Sequence, residues 1–469
     1  MSRIRELFRP RDMSQGEPWK RLAEFAFPLL IGNFAQQLYN TVDAVVVGNS
    51  RWGYTALGAV GNASPVLNLL LALFVGIATG AGILVAQFFG AKDERALSRT
   101  IGNCITAAGA ASLVIMVAGP LLTGPLLRAV GTLDTMYASC KAYLDIFFIG
   151  IAGFFFYNIF AGILRGLGDS FSALLFLMIT SALNIALDLA LVDGMGVAGV
   201  ALATVIAQFI SAILCLIKLL RLRDVFRLRP ADLRPDRRYL GRIIRLGIPS
   251  GLTQAVFSLA MMVVQRLVNS FSDEMFIACN VMVMRVDGYA MLPNFSFGQA
   301  MSTFAGQNIG ARRLDRLQQG TRQGLVMALG TAMVLTPLVL LTGPALMRLF
   351  TPEPALIRLS MGMMYILAAG YVAMAATQVL QGVMRGAGDT VTPMWISFGT
   401  TIALRLPLAY LLVALVRRAG APLLTQERMV FASLLATWLM GMLITVFLYR
   451  RGGWKKKMVL AMEKEEREL

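Results

Sequence analysis

Four polar residues interrupt an apolar stretch near the start of the chain: Gln36, Tyr39, Asn40 and Asp43. Their i, i+3, i+4, i+7 spacing puts them on one face of a helix. A second group is Asn184 and Asp188, one helical turn apart, with Thr204 in the following stretch and Tyr143 and Asn158 in the preceding one. Carboxylates, amide oxygens and hydroxyls gathered at one depth offer two kinds of chemistry. They can supply oxygen ligands to a hard cation such as Na+. They can equally share a proton held by burial and like charge. The residues leave Na+ and H+ both open. The chain contains no histidine, which removes the commonest proton relay and metal ligand and the Ser–His and Cys–His catalytic pairs. An enzyme is therefore not expected, nor an organic cofactor or a resident metal centre.

The elements that must position these groups are membrane spans. Hydrophobic residues make up 57% of the 469 and charged ones 15%, more apolar surface than a water-soluble fold can hide. Residues 100–127, 323–347 and 359–384 carry no formal charge, and each exceeds the roughly 20 residues that cross a bilayer core. Such continuous runs are helices and not barrel strands. Twelve candidate spans follow, at about 21–48, 57–89, 98–123, 134–165, 170–193, 196–222, 239–271, 275–307, 316–343, 355–386, 391–417 and 427–449. A cytoplasmic N-terminus collects most Lys and Arg on one side, including the ten basic residues from Lys218 to Arg245, so both termini are expected in the cytoplasm. That asymmetry also accounts for the net charge of +17 without nucleic acid as a partner. The four cysteines are scattered, with no paired spacing, and read as buried hydrophobes.

The chain repeats itself at an offset of 220. Arg165-Gly166-Leu167-Gly168-Asp169-Ser170 returns as Arg385-Gly386-Ala387-Gly388-Asp389-Thr390, with Gly162 and Gly382 three residues ahead of each arginine. Gln87-Phe88-Phe89-Gly90-Ala91 returns as Gln307-Asn308-Ile309-Gly310-Ala311, and Pro28 recurs near this offset as Pro249, 221 residues on. An even number of spans per half makes the repeats parallel. The expected fold is all-α and integral to the membrane: twelve helices in two pseudo-symmetric six-helix lobes around a central cleft. The lobes are 1–222 and 239–450, joined by a basic linker at 223–238 and followed by a charged tail at 451–469. The glycine-rich turns read as cytoplasmic helix ends capped by Asp169 and Asp389, to which Arg165 and Arg385 could also bridge. The Gln-x-x-Gly-Ala copies read as plain helix exits.

Symmetry breaks at the carboxylates. The second half carries apolar residues in register with Asp43 and Asp188, and its own intramembrane charges are Arg266, Arg285, Asp287 and Arg405. Arg285 and Asp287 stand two apart and cannot face each other on an ideal helix, so each is either an interhelical partner or a substrate-facing group. Met261 and its neighbouring methionines can line an adaptable apolar pocket or simply pack.

Taken in order, Pro28…Gln36…Tyr39…Asp43…Gly48, Gln87…Gly90-Ala91, the two Arg-Gly-x-Gly-Asp turns, Asn184…Asp188 with Gly199…Thr204, and Gln307-Asn308-Ile309-Gly310-Ala311 resemble the multidrug and toxic compound extrusion (MATE) transporters. The resemblance spans roughly 18–450 and is nearest the branch typified by DNA-damage-inducible protein F. It implies efflux of amphipathic, often cationic organic compounds in exchange for H+ or Na+, by alternating access from a plasma-membrane location. It places ion or proton coupling on Asp43, Asp188, Asn184, Thr204 and, less directly, Tyr143. Gln36, Tyr39, Asn40, Asn158, Met261, Arg285 and Asp287 become substrate-lining candidates, and Pro28 a helix hinge. Partners are then small amphipathic solutes and membrane lipids, with the chain a monomer. A lipid or lipid-linked oligosaccharide flippase of the same superfamily is the alternative, and a passive channel or scramblase a more distant one.

Overall fold

The computed structural model describes residues 9–48, 53–130, 132, 134–348 and 351–459, with side chains placed throughout except at 39–41, 43–66, 69, 129, 130, 134 and 135. The first series of helices is α1 (Pro18–Gly48), α2 (Gly53–Ala91), α3 (Glu94–Val130), α4 (Asp134–Ile149), α5 (Ile151–Gly166), α6 (Ser170–Met195) and α7 (Val197–Arg221). After a short 3-10 turn come α8 (Arg237–Asn269), α9 (Glu274–Gly310), α10 (Leu314–Arg348), α11 (Pro354–Gly386), α12 (Val391–Phe398), α13 (Arg405–Arg418) and α14 (Leu423–Arg451). A π-helical segment, Gly399–Leu404, carries α12 into α13. No strand occurs among the described residues.

Ten helical spans among the described residues are long and apolar enough to cross a membrane, eleven if α4 and α5 count as one span bent by 53°. The remaining expected span is α1, whose 31 residues are diluted by Lys20, Arg21, Glu24 and the polar stripe. The all-helical membrane architecture read from composition is thus borne out. Packing agrees with it. Only 17% of the apolar window is buried in α3 and in α10, which turn Leu113, Val117, Leu121, Val334 and Leu341 outward. Apolar faces of that length fit lipid and not water.

The repeated glycines draw helices together. A Cβ on Gly162 would stand 2.6 Å from the Ala78 carbonyl oxygen, and one on Gly166 2.5 Å from that of Gly82. The second repeat does the same with α11 on α9: Gly382 and Gly386 lie against the carbonyl oxygens of Gly298 and Ser302. Spaced four apart, each pair lets two backbones touch along one ridge.

Beyond each pair the chain turns through a positive-φ glycine, Gly168 (82°) or Gly388 (85°), and an aspartate then caps the next helix. Asp169 accepts from the Ser172 backbone N–H at 2.9 Å and from its hydroxyl at 2.7 Å. Asp389 repeats this with Thr392 at 3.1 and 2.6 Å. The expected arginine partners are corrected here. Lys218 reaches Asp169 at 3.5 Å and Lys457 reaches Asp389 at 2.9 Å, and Arg165 lies near Cys215 of α7 instead. Nearness along the chain does not give an arginine side chain reach to the next turn. Asp169→Ala should lower stability by about 1–2 kcal/mol, the usual worth of a cap. Lys457→Ala, whose side chain is 54% exposed, should cost well under 1 kcal/mol. Thermal melting in detergent compares the two, and equal losses would contradict this account.

Two compact units result. The first holds Met1–Asp12 and Phe27–Gly251; the second holds Met13–Ala26 and Leu252–Leu469. Each unit therefore contains a leader that by sequence opens the other repeat. In the second unit Met13 is fully buried. Its N–H donates to Gln307 Oε1 at 2.7 Å, and its carbonyl accepts from Asn308 Nδ2 at 3.3 Å and Arg316 Nη2 at 3.2 Å. In the first unit Asn103 Oδ1 accepts from the Asp236 N–H at 2.7 Å, and Thr106 donates to the Leu233 carbonyl at 2.6 Å. Arg242 lies 5.1 Å over the Phe88 ring. The Gln-x-x-Gly-Ala copies do end their helices, each followed by a residue with φ of 57°, Lys92 or Arg312. They are also docking points for the leaders, a role their spacing alone did not disclose.

Candidate functional site

In the first unit the polar groups converge between α6 and α7. These helices meet at Gly196 and pack along their length. Asn184 is 1% exposed and Asp188 0%. Asn184 Nδ2 donates to Thr204 Oγ1 at 3.4 Å, and that hydroxyl donates in turn to the Val200 carbonyl at 3.1 Å. One turn before Asn184, Thr180 shares a short hydrogen bond with Ser211 of α7. Thr180, Asn184 and Asp188 thus form an i, i+4, i+8 ridge, with Thr204 and Ser211 facing it from α7. Sequence reading missed Thr180 and Ser211. Their signal was there, one turn from Asn184 and two turns from Thr204, but hydroxyls in apolar helices usually satisfy themselves on their own backbone. Both do bond that carbonyl, Thr180 to Phe176 and Ser211 to Ala207.

Other expected members fall elsewhere. Tyr143 on α4 is buried, in an apolar cluster with Leu144 and Phe147. Asn158 on α5 is half-buried and donates to the Phe154 carbonyl at 2.8 Å. On α1, Pro28 sits within the continuous helix, and Gln36 is exposed. The side chains of Tyr39, Asn40 and Asp43 lie outside the described residues, so the full stripe with Asp43 is not drawn together here. A carboxylate as deep as Asp188 in an apolar span is costly and marks function by default. Its oxygens, the Asn184 amide and the Thr204 hydroxyl suit a proton or a hard cation.

The second unit has a different constellation. Asp287 on α9 is 9% exposed, Tyr371 on α11 2% and Arg405 at the head of α13 3%. The Tyr371 hydroxyl lies beside the Asp287 carboxylate, which also feels the charge of Arg405. Arg285 is exposed, so Asp287 and Arg285 part ways as their two-residue spacing requires. Met261 is half-buried on α8. Arg405 owes its place to the π-helical segment before it, since one wide turn shifts the register of every later side chain.

Known proteins agree with this picture. The sequence model of the MatE family matches residues 28–190 and again 249–411, two equal stretches that begin at Pro28 and Pro249. The probable multidrug resistance protein YoeA of Bacillus subtilis is 29% identical over 409 residues, covering 85% of this chain and 88% of its own. The probable multidrug resistance protein NorM of Thermotoga maritima is 25% identical, with 95% of each chain covered. DNA damage-inducible protein F of Escherichia coli is 29% identical over 66% of this chain and 69% of its own. Among solved structures, a MATE protein in complex with MaL6 superposes with a TM-score of 0.87 at 23% identity, over 95% of this chain and 99% of that one. An outward-facing MATE family transporter gives 0.86, also at 23%, over 96% and 98%. These likenesses show the fold, and the doubled family match decides the rest: the chain is a multi-pass membrane transporter and belongs to the MatE family.

Proposed function

We propose that this protein is a secondary active exporter of amphipathic organic compounds, working by alternating access in the plasma membrane with both termini in the cytoplasm. Inward movement of H+ or Na+ drives it, through Asp43 and Asp188 assisted by Asn184 and Thr204. The observation that carries this reading is Asp188, fully buried on an apolar span, with the Asn184 amide one helical turn away and bonded to the Thr204 hydroxyl of α7. A group that changes charge at that depth alters the relative energy of two conformations. Ion and solute then need compete only through the conformations each favours. The names of the relatives support the solute class: YoeA and NorM are called multidrug resistance proteins.

Dye efflux from everted vesicles under separately imposed Na+ and proton gradients tests the reading. One gradient should accelerate efflux and its collapse should abolish the effect. Transport indifferent to both gradients would favour a passive pathway and sink the proposal.

A further inference from the structure

The buried charges of the second unit are poorly arranged for a purely structural pair. Asp287 and Arg405 sense each other's charge, yet their atoms do not come within the 4.0 Å of an ion pair. Asp287 Oδ1 and Arg405 Nε and Nη1 are all buried without a hydrogen-bond partner. Such a pair costs more to bury than apolar residues of the same size, unless something completes it. Tyr371 and Arg405 are the titratable and charged groups that act on Asp287. The site as a whole is therefore close to neutral. It offers an unpartnered acceptor on Asp287 and unpartnered donors on Arg405. Its aiming device is the π-helical segment Gly399–Leu404, a feature that recurs at functional sites.

A small cavity beside Tyr371 is lined by Ala290, Pro293, Leu335 and Val339 together with the polar Asn294 and Thr336, and the Tyr371 hydroxyl meets the Met364 sulfur at 3.8 Å. Thioethers repack readily around varied shapes.

We infer that Arg405, Asp287 and Tyr371 bind the ammonium–carboxylate headgroup of a zwitterionic amphiphile, Arg405 taking the carboxylate and Asp287 the ammonium. This rests on the export reading above and names a substrate class for it. A lone cation or anion leaves one end of the site unanswered; a headgroup with both charges answers each and keeps the total neutral.

The test uses the purified full chain and two fluorescent probes that differ only in a carboxylate: Nε-dansyl-lysine and dansylcadaverine. Wild-type protein should bind the zwitterion more tightly. Arg405→Gln should weaken dansyl-lysine about tenfold or more, the worth of a charge-assisted contact, and leave dansylcadaverine within about twofold. Asp287→Asn should weaken both, because both carry the ammonium. Where Arg405→Gln alone fails to fold, the double variant with Asp287→Asn removes both charges together and must bind the two probes equally. Wild-type protein indifferent to the carboxylate, or an Arg405→Gln variant that loses both probes alike, overturns the assignment. Efflux separates this from failure of the export reading. If dansylcadaverine is pumped under an ion gradient while the carboxylate goes unread, only the headgroup assignment falls. If no gradient moves either probe, the export reading falls, and the binding comparison still decides the site. Competition by short-chain phosphatidylserine would assign the headgroup to a lipid, and its absence to a soluble solute.

Discussion

Asp188→Asn should leave the protein folded and cut gradient-driven efflux at least about tenfold, since a charge-assisted ion contact of 1.5–3 kcal/mol is lost. Asparagine matches aspartate in shape and keeps one side-chain oxygen. Removing a charge from a fully buried position lowers the cost of placing that helix in the membrane, so thermal stability should hold or rise. What disappears is the capacity to change charge. The amide takes up no proton at physiological pH and is a weaker ligand for a hard cation. Stability and transport should therefore move in opposite directions, which a merely structural role would not produce. Everted-vesicle efflux alongside thermal melting reads both. Undiminished efflux in a well-folded variant would remove Asp188 from the coupling site.

Gly382→Val should abolish accumulation of folded protein. The added Cβ points at the carbonyl oxygen of Gly298, and a backbone atom of α9 cannot swing aside as a side chain would. Relief requires prising α11 from α9 along the most closely packed ridge of the second unit. Overpacking ordinarily costs about 1–3 kcal/mol, and a collision between two backbones falls at or beyond the top of that range. Gly330→Val on α10 is the matched control. Nothing lies within 4 Å of a Cβ there, so the change should cost no more than about 0.5 kcal/mol. Folded yield by size-exclusion chromatography compares the two, and similar yields would contradict the steric account.

The sequence discloses what depends on short spacing and on contrast with an apolar background. The spans, the repeat, the asparate caps and the Asn184–Asp188–Thr204 group are of this kind, because a polar residue in a span is conspicuous. The glycine pairs were visible but read as turns. Their four-residue spacing was the sign of a helix crossing, and the partner carbonyls on α2 and α9 were not in the motif. Thr180 and Ser211 escaped because each looks self-satisfied on its own helix. The association of Asp287 with Tyr371 and Arg405 joins three helices far apart in sequence, and no spacing rule reports it. Nor does local sequence announce a π-helical turn, which arises when tertiary packing outweighs a regular helix. The arginine partners expected for Asp169 and Asp389 failed for a related reason: nearness along the chain is not reach in space, and lysines from distant helix ends do the work.

The exchanged leaders set an order on synthesis. The first unit is not complete when the ribosome finishes α7; it waits for the chain as far as Gly251. The opening segment Met13–Ala26 waits longer, since Gln307, Asn308 and Arg316, which hold it, are made only near the end of α9 and the start of α10. A chain cut in the linker would leave each fragment with an unfilled seat and a leader that has nowhere to dock.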